Sequence, residues 1–467
     1  MKLPDFESEY NALFNAIRKV VPPSMKIYLV GGAVRDFLLE RKIHDFDFCV
    51  EGLVRPIGKH IADELGGAYY VLDDEREMVR VIVDDEQMGQ FDIDIALISG
   101  GSIEEDLNDR DFTVNAMAIE IGSSSSIVDP LHGYDDLLMK RLRMCNPESL
   151  KNDPLRALRA IRMCLEYDLQ MDDELLNAMS SVISRMSESS IERYRDEMFK
   201  TIRLYKNGKA IKLYEKYGYI NHLFPTAERK FENINSQWIE NSDLFVLLLT
   251  KNNQIPDKLD DFVSYAVSRL GNYREALRAF FDKTLALYHN RRMLTLFSVI
   301  AKTLSEDIET ILKWSAGLAF SSSEQNFVRS ALLSFDFLTS FDITGDYGDV
   351  TLYRYFRQFK EGGIAGLILF LSHEYSLQNV SHAYKDWCDK VVFVQDMITA
   401  YFTRYNDVIA PKPFMSGHDI QETLNAPAGP MIGFIKNALI EAQIRGSVKS
   451  MSEAESFVRQ QAKHYSQ

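Results

Sequence analysis

The stretch 28–52, YLVGGAVRDFLLERKIHDFDFCVEG, concentrates the residue types that can do chemistry. Asp45 and Asp47 stand two apart in a strand-like run, Asp45-Phe46-Asp47-Phe48-Cys49-Val50. Side chains i and i+2 of a strand share a face, so the two carboxylates project together and Phe46 and Phe48 project the other way. Adjacent carboxylates repel, and a cation between them relieves the repulsion. An all-oxygen ligand set suits Mg2+, which keeps several waters and shares substrate phosphates. Ahead of the pair, the β-branched run from Ile27 to Val30 ends in Gly31-Gly32. Without Cβ atoms, that turn lets backbone N–H groups approach a phosphate closely. Between turn and carboxylates, residues 33–41 have helical spacing, with Val34, Phe37 and Leu38 on one face. A glycine turn followed by a carboxylate pair is what transfer of a nucleotidyl group needs.

Gly31-Gly32, Arg35-Asp36 and the Asp45-x-Asp47 pair, in that order, resemble the active-site motif of the polymerase-β-like nucleotidyltransferases. The resemblance is to the class II branch, which contains tRNA CCA-adding enzymes and bacterial poly(A) polymerases. It implies an α+β fold: a small mixed-sheet head, then an extended all-helical neck, body and tail. It also implies Mg2+ on Asp45 and Asp47, with Gly31, Gly32, Arg35 and Asp36 around a nucleoside triphosphate.

Further along, Phe91-Asp92-Ile93-Asp94-Ile95-Ala96-Leu97 alternates as a strand does, and Asp94 is the favoured third carboxylate of the site. Ser102-Ile103-Glu104-Glu105 has the form of a capping box, so a helix starts there. It leads into Asp109-Arg110-Asp111-Phe112-Thr113-Val114-Asn115-Ala116, which resembles the family's RRDFTxNA motif with Asp109 in its first position. Arg110 can grip a triphosphate as a planar fork. Asp111 and Asn115 can bond sugar hydroxyls or hold Arg110. Asn152-Asp153-Pro154-Leu155-Arg156 resembles the base-selecting EDxxR motif, with Asn152 in place of its Glu. Asp153 is expected to cap a helix, Pro154 to fit its first turn, and Asp153, Arg156, Arg159 and Arg162 to form one polar stripe. A carboxylate only accepts and a guanidinium only donates. Cytosine and adenine match that pair, each offering an amino donor beside an acceptor nitrogen; guanine and uracil invert it.

Glu192-Arg193 to Glu197 resembles the last family motif, ERxxxE, read as an ion-paired helix start with Ser189 as cap that braces the preceding helix. Lys200, Arg203, Lys206, Lys209 and Lys212 follow as candidates for a phosphate-contacting stripe.

Around these motifs the chain has the composition of an ordinary soluble protein, 46% hydrophobic and 26% charged over 467 residues, enough for several domains. Cys49, Cys145, Cys164 and Cys388 form no CxxC pair, which fits a reduced, cytoplasmic setting. The N-terminus, MKLPDFESEY, does not read as a signal peptide. The longest apolar run, 362–371, is too short to span a bilayer, so no membrane partner is expected. A net charge of −15 confines any RNA contact to a local basic face.

Strand signals fade after Val128-Asp129-Pro130. The expected organisation is a catalytic head over 1–140, a helical neck over 141–215 that binds nucleotide base and RNA, and a helical body and tail over 216–467. Residues 131–143 resemble the family's hinge, with His132 where glycine is usual. Relatives often carry a metal-dependent phosphohydrolase (HD) domain in the body. The one His-Asp dipeptide here, His418-Asp419, reads as a helix cap, so the body is expected to be a degenerate HD-like region without metal ligands.

The resemblance implies Mg-dependent, template-independent addition of CMP and/or AMP from CTP and ATP to the 3′ end of tRNA. A poly(A) polymerase shares the same head, and a catalytically silent RNA-binding protein could keep the fold. The resemblance to CCA-adding enzymes implies a flexible loop between the first and second motifs that helps the site switch from C to A. Here only Ile98-Ser99-Gly100-Gly101 separate the strand at Leu97 from the cap at Ser102, which leaves it little room. CC addition is therefore expected ahead of A addition, unless the charged 73–86 hairpin supplies the lever. The sequence leaves the oligomeric state open.

Overall fold

The structure is a computed structural model and describes residues 10–43, 45–85, 89–122, 127–225, 235–251, 259–286, 289–343, 345, 347–377 and 384–465. By internal contacts the chain divides into two units. One is Met1–Glu197 with Lys216–Tyr219; the other is Met198–Glu215 with Ile220–Gln467.

The first unit is built on a seven-stranded sheet of β1 (Ile27–Val30), β2 (Asp45–Val50), β3 (Ala68–Asp73), β4 (Met78–Asp85), β5 (Gly89–Leu97), β6 (Ala118–Glu120) and β7 (Ile127–Val128), in the order β3-β4-β5-β2-β1-β6-β7. β2 and β5 run parallel and the other pairs antiparallel, so the sheet is mixed. Period-two alternation decides which side chains enter the core. Phe46 and Phe48 are buried with Val79, Val81, Ile93 and Ile95 under the helices Asn11–Val20 and Val54–Leu65. The alternate residues Asp45, Asp47, Asp92, Asp94 and Arg80 are left for the other face. The parallel register pairs Asp45 with Asp92 and Asp47 with Asp94, and β1 sets Val30 opposite Asp47, so Gly31 emerges beside that carboxylate.

Two local expectations hold. β3 and β4 form the hairpin, and Ser102 Oγ accepts the Glu105 N–H at 3.2 Å to cap the helix Ile103–Asn108. Three need correction. Asp153 does not cap: the helix is Arg156–Tyr167 with Leu155 at its N-cap, and Asp153 closes a turn by accepting the Leu155 N–H. Ser190, not Ser189, takes the Arg193 N–H ahead of the helix Ile191–Ile202. The Lys200–Lys212 spacing crosses a break, because one helix ends at Ile202 and the next is Asn207–Lys216, so no continuous stripe forms.

The 131–143 segment folds as the helix Gly133–Leu138 and a short strand, Arg141–Leu142. His132 precedes that helix with φ +58°, a left-handed conformation that a glycine adopts without strain. Asp136 is fully buried and accepts Thr113 Oγ1 at 2.6 Å, Arg141 Nε at 2.6 Å and Arg143 Nε at 2.7 Å. It thereby locks this helix to the Asp111–Asn115 motif.

The second unit is helical among its described residues. The apolar run 362–371 lies in Gly362–Ser376, a buried helix packed on Ser322–Ser340. The two backbones approach so closely that a Cβ on Gly366 would come 2.0 Å from Ser334 Oγ. Among the described residues no helix is long and apolar enough to cross a membrane. A separate cluster of Met415, Ile420, Ile432, Ile435 and Leu439 closes the C-terminal helices.

Replacing Asp136 with Ala strands the buried Thr113 hydroxyl and frees two arginines that can partly rehydrate. We expect a loss of about 2–3 kcal/mol, read as a lower urea midpoint at unchanged slope.

Candidate active site

Two side chains, those of Arg110 and Asp47, converge on Gly31 at the exit of β1. Gly31 has φ +72°, and a Cβ there would lie 2.9 Å from Arg110 Nη1 and 3.5 Å from Asp47 Oδ2. Glycine is required both by the left-handed backbone and by the space. Arg110 is fixed by Asp106, which accepts from its Nε at 3.1 Å and Nη2 at 3.0 Å, and its Nη2 also reaches Cys49 Sγ at 3.5 Å. Asp106 is the holder that sequence reasoning missed. Its signal was an acid four residues ahead of a base.

Asp47 sits among like charges. Burial, then the charges of Asp94 and Asp45, push its carboxyl up to about 6, while Arg110 and Arg80 pull the other way. Asp94 is held by a two-pronged contact from Arg80 at 2.7 Å and 2.7 Å, and Arg80 also reaches Asp92 at 3.2 Å. Arg80 was not singled out in the sequence, although it is the one charge within the Val79–Val83 run of its strand. Asp45 is exposed at the strand start.

Arg35 and Asp36 lie on the helix Gly32–Leu38. Arg35 is buried, pairs with Asp36 at 3.0 Å, donates to Asn115 Oδ1, and stacks 4.1 Å from the ring centre of Tyr167. Asn115 in turn donates to Asp111 Oδ1 at 3.0 Å, and Arg159 Nη1 reaches Asp111 Oδ2 at 2.8 Å. Burial would raise Asp111, but the charge and hydrogen bond of Arg159, with the N–H groups of Asn115 and Phe112, hold it below the usual carboxylate range. Asp111 and Asn115 therefore hold Arg35 and Arg159 rather than Arg110.

The four members of the expected stripe go separate ways. Arg162 Nε meets Glu197 at 2.5 Å and its Nη1 meets Glu166 at 2.7 Å. Glu197 also lies 3.8 Å from Arg159 Nε. Asp153 pairs with Arg193 Nη2 at 2.5 Å. Arg156 Nη1 donates to Ser149 Oγ at 2.8 Å and the Arg110 carbonyl at 3.2 Å, and its Nη2 to the Asp109 carbonyl at 3.2 Å. Glu197 and Arg193 both belong to the ERxxxE motif, which does brace the helix Arg156–Tyr167 and the turn ahead of it.

The donor set on β2 and β5 is all oxygen, and Asp47 is destabilised by its neighbours' charge. Both features fit a hard divalent cation on Asp45 and Asp47. Among the described residues, the one trio with ligand atoms drawn within 4.8 Å of one another is His418, Asp419 and Glu422 in the other unit. There Asp419 closes a capping box with Ser416, as the cap reading of His418-Asp419 expects.

The first unit thus sets a mixed sheet with aligned carboxylates beside a glycine turn and a fixed arginine. Residues 27–143 match the family model described as Poly A polymerase head domain, and residues 168–231 match one described as Probable RNA and SrmB-binding site of polymerase A. Both matches fall in the first half of the chain, which spans less than half the length of the first of the relatives that follow. It is 35% identical to the CC-adding tRNA nucleotidyltransferase of Geobacter sulfurreducens over 38% of this chain and 40% of that enzyme. It is 25% identical to the CC-adding tRNA nucleotidyltransferase of Synechocystis over 95% of both chains. Among solved structures, a CCA-adding enzyme in complex with ATP superposes with a TM-score of 0.66 at 18% identity, over 97% of this chain and 95% of that one, which establishes likeness of fold.

The Asp47 carboxyl gives a signed pH dependence. The folded chain keeps its proton up to about 6, whereas the unfolded chain loses it near the ordinary value of 3.8. Between those values the native state binds more protons, so this group's contribution to stability falls as pH rises. In chelator, Asp47→Asn is expected to flatten that fall and to gain on the order of 2 kcal/mol at pH 7. Urea midpoints from pH 4 to 7 check it; equal slopes for both proteins would count against the crowded-carboxylate reading.

Proposed function

We propose that the chain is a template-independent nucleotidyltransferase that adds CMP and/or AMP to the 3′ end of tRNA, with CTP and ATP as substrates and release of pyrophosphate. The observation that carries this reading is the contact group of Gly31, Asp47 and Arg110, which sets a glycine turn, a carboxylate and a fixed guanidinium around one point. The names of the relatives support tRNA as the acceptor.

In this reading Asp45 and Asp47 hold Mg2+, with Asp94 beside them as the third carboxylate. The metal, when bound, supplies positive charge that eases ionisation of the RNA 3′-hydroxyl and departure of pyrophosphate. Gly31, Gly32, Arg35 and Arg110 bind and orient the triphosphate, and Asp36, Asp111 and Asn115 keep Arg35 in place. Asp153 and Arg156 read the base, while Arg159 and Arg162 anchor their helix through Asp111 and Glu197. Asp153 uses two of its roughly four acceptor sites within the chain, so acceptor capacity is left for an amino group. The head spans 1–140, the neck 141–215 and the helical body and tail 216–467. A tRNA substrate and four unpaired cysteines support a cytoplasmic setting.

CC addition ahead of A addition is supported by the connector after β5. Ser99 N–H is held by Asp106 Oδ1 at 3.2 Å, and a Cβ on Gly100 would press on Glu105 at 2.8 Å, so the segment is short and tethered. The Asp73 hairpin turn is tied as well, through Asp73 to the N–H groups of Glu75 and Arg76 and through Asp74 to Arg55. Glu86, the last residue of that 73–86 segment, lies outside the described residues.

Labelled CTP and ATP should be offered with tRNA lacking CCA, tRNA lacking only A, and an unrelated RNA, and the products sized. Addition of two residues to the first tRNA is expected; a full CCA end removes the partial-activity reading, and a long A tract would make the chain a poly(A) polymerase. Asp45→Ala and Asp47→Ala are each expected to abolish incorporation with the fold intact, which separates an enzyme from a silent RNA-binding protein.

Arg156→Ala is expected to weaken rejection of UTP and GTP by about 1–3 kcal/mol, the worth of one good paired contact. Competition kinetics would show it. Unchanged selectivity would move base choice elsewhere.

A further inference from the structure

The unit Met198–Glu215 with Ile220–Gln467 contains a cavity of about 230 Å3 in which three cations meet from three elements. Arg203 directly follows the helix Ile191–Ile202, Lys251 is the C-cap of Ser236–Thr250, and Arg292 lies in the first turn of Arg291–Leu304. Nothing in the site described above uses them.

Arg292 is 8% exposed. It donates to Tyr205 Oη at 2.8 Å and to Asp282 at 2.5 Å, and its Nε has no hydrogen-bond partner. Arg203 Nε reaches Met293 Sδ at 3.4 Å, and a thioether is a weak acceptor. Lys251 Nζ lies 4.8 Å from the centre of the Tyr205 ring. Among the described residues neither Arg203 nor Lys251 forms an ion pair. Asp282 pairs with Arg292, and Asp243, whose charge also reaches Tyr205, is taken up by Asn207, so no carboxylate lines the cavity itself. Burial and the charge of Arg292 hold the Lys251 ammonium below its ordinary range, with Asp282 opposing. The cavity thus works against its own charge.

An anion with several acceptor oxygens relieves that excess and supplies the acceptors that guanidinium and ammonium donors lack. The volume is below the roughly 300–1,000 Å3 of ordinary small-molecule pockets, so the space suits a phosphate group better than a whole nucleotide. Arg203 and Tyr205 fall within the 168–231 segment that matches an RNA-binding family model. Contacts of this kind position a nucleic acid without reading its sequence. On a chain of net charge −15 they must be local and concave to work.

We propose that this cavity seats one phosphodiester of the substrate RNA backbone, gripped by Arg203, Lys251 and Arg292; the assignment rests on reading the chain as an RNA 3′-end nucleotidyltransferase.

The test uses the full chain, a tRNA lacking its CCA end, and the variants Arg203→Gln, Lys251→Gln and the double. Arg292 is left in place because it also holds Tyr205 and Asp282. Lys463→Gln, on the C-terminal helix, controls for loss of charge alone, and thermal melts control for folding. Dissociation constants are measured across a salt series. Each single substitution should lower the slope of log Kd on log salt by about 1 and the double by about 2, with Lys463→Gln leaving it unchanged. Wild-type binding with the same slope in the double variant overturns the proposal, as does an equal fall in Lys463→Gln. If the wild type shows no salt-dependent tRNA binding, the RNA reading itself fails and takes this assignment with it. A parallel arm replaces tRNA with inorganic phosphate. Thermal stabilisation of the wild type but not the double, with the tRNA slope unchanged, gives the cavity to a free phosphate ion and overturns the RNA assignment.

Discussion

The arrangement of the first unit depends on one buried carboxylate, Asp111. It accepts from Arg159 on the helix Arg156–Tyr167 and from Asn115, which in turn accepts from Arg35 on the helix after the glycine turn. Removing charges from water costs several kcal/mol per ion, so such a chain of contacts adds little net stability. What it contributes is registration. Side chains on two helices are held against a single loop, and Glu197 extends the chain to Arg162 from a third helix. The helix after the glycine turn and the helix Arg156–Tyr167 are then aligned before any ligand arrives.

The parts of this fold legible in the sequence are those whose partners lie within a few residues. Asp45-x-Asp47 on one strand face, the Ser102 cap and the β3–β4 hairpin follow from periods of two and three to four residues, which the backbone enforces. Asp153 looked like a cap because Asp-Pro often starts a helix. The helix begins later, at Arg156, because Arg193, forty residues on, holds the Asp153 carboxylate. Arg159 and Arg162 read as a nucleotide-facing stripe because spacing gives a face but not what that face meets. Here it meets Asp111 and Glu197. Arg80 was invisible for a similar reason. Its partner Asp94 lies on the next strand, and nothing local in either run announces the pairing.

The absence of a continuous basic stripe over 200–212 has the same origin. Lys212 pairs with Glu240, Arg203 turns to the Met293 side of its own cavity, and the helix between them is interrupted. A net-acidic chain that engages a polyanion gains more from a few concentrated cations than from an even coat. Screening over about 10 Å leaves only near charges effective at ordinary salt. The helix Arg156–Tyr167 spends Arg159 and Arg162 internally, on Asp111 and Glu197, so its basic residues add little to the outer charge of the chain.

Charge balance at the head also explains why the site is poised for a cation. Asp45, Asp47, Asp92 and Asp94 share one face of β2 and β5, and Arg80 alone on that face answers Asp92 and Asp94. Arg110 is committed to Asp106, so it only partly offsets Asp47. The uncompensated pair is Asp45 and Asp47. Burial, and after it the charges of Asp94 and Asp45, raise Asp47, and a divalent ion would relieve the repulsion and displace the proton. Arg80 has a second consequence. By holding Asp94 with two hydrogen bonds it keeps that carboxylate turned along the sheet, so it confines the strongest excess of negative charge to the two residues nearest the glycine turn. The space beside Gly31 is then bordered by a guanidinium that is already held, Arg110, and by a carboxylate that is not, Asp47, so charge of both signs meets within one small volume.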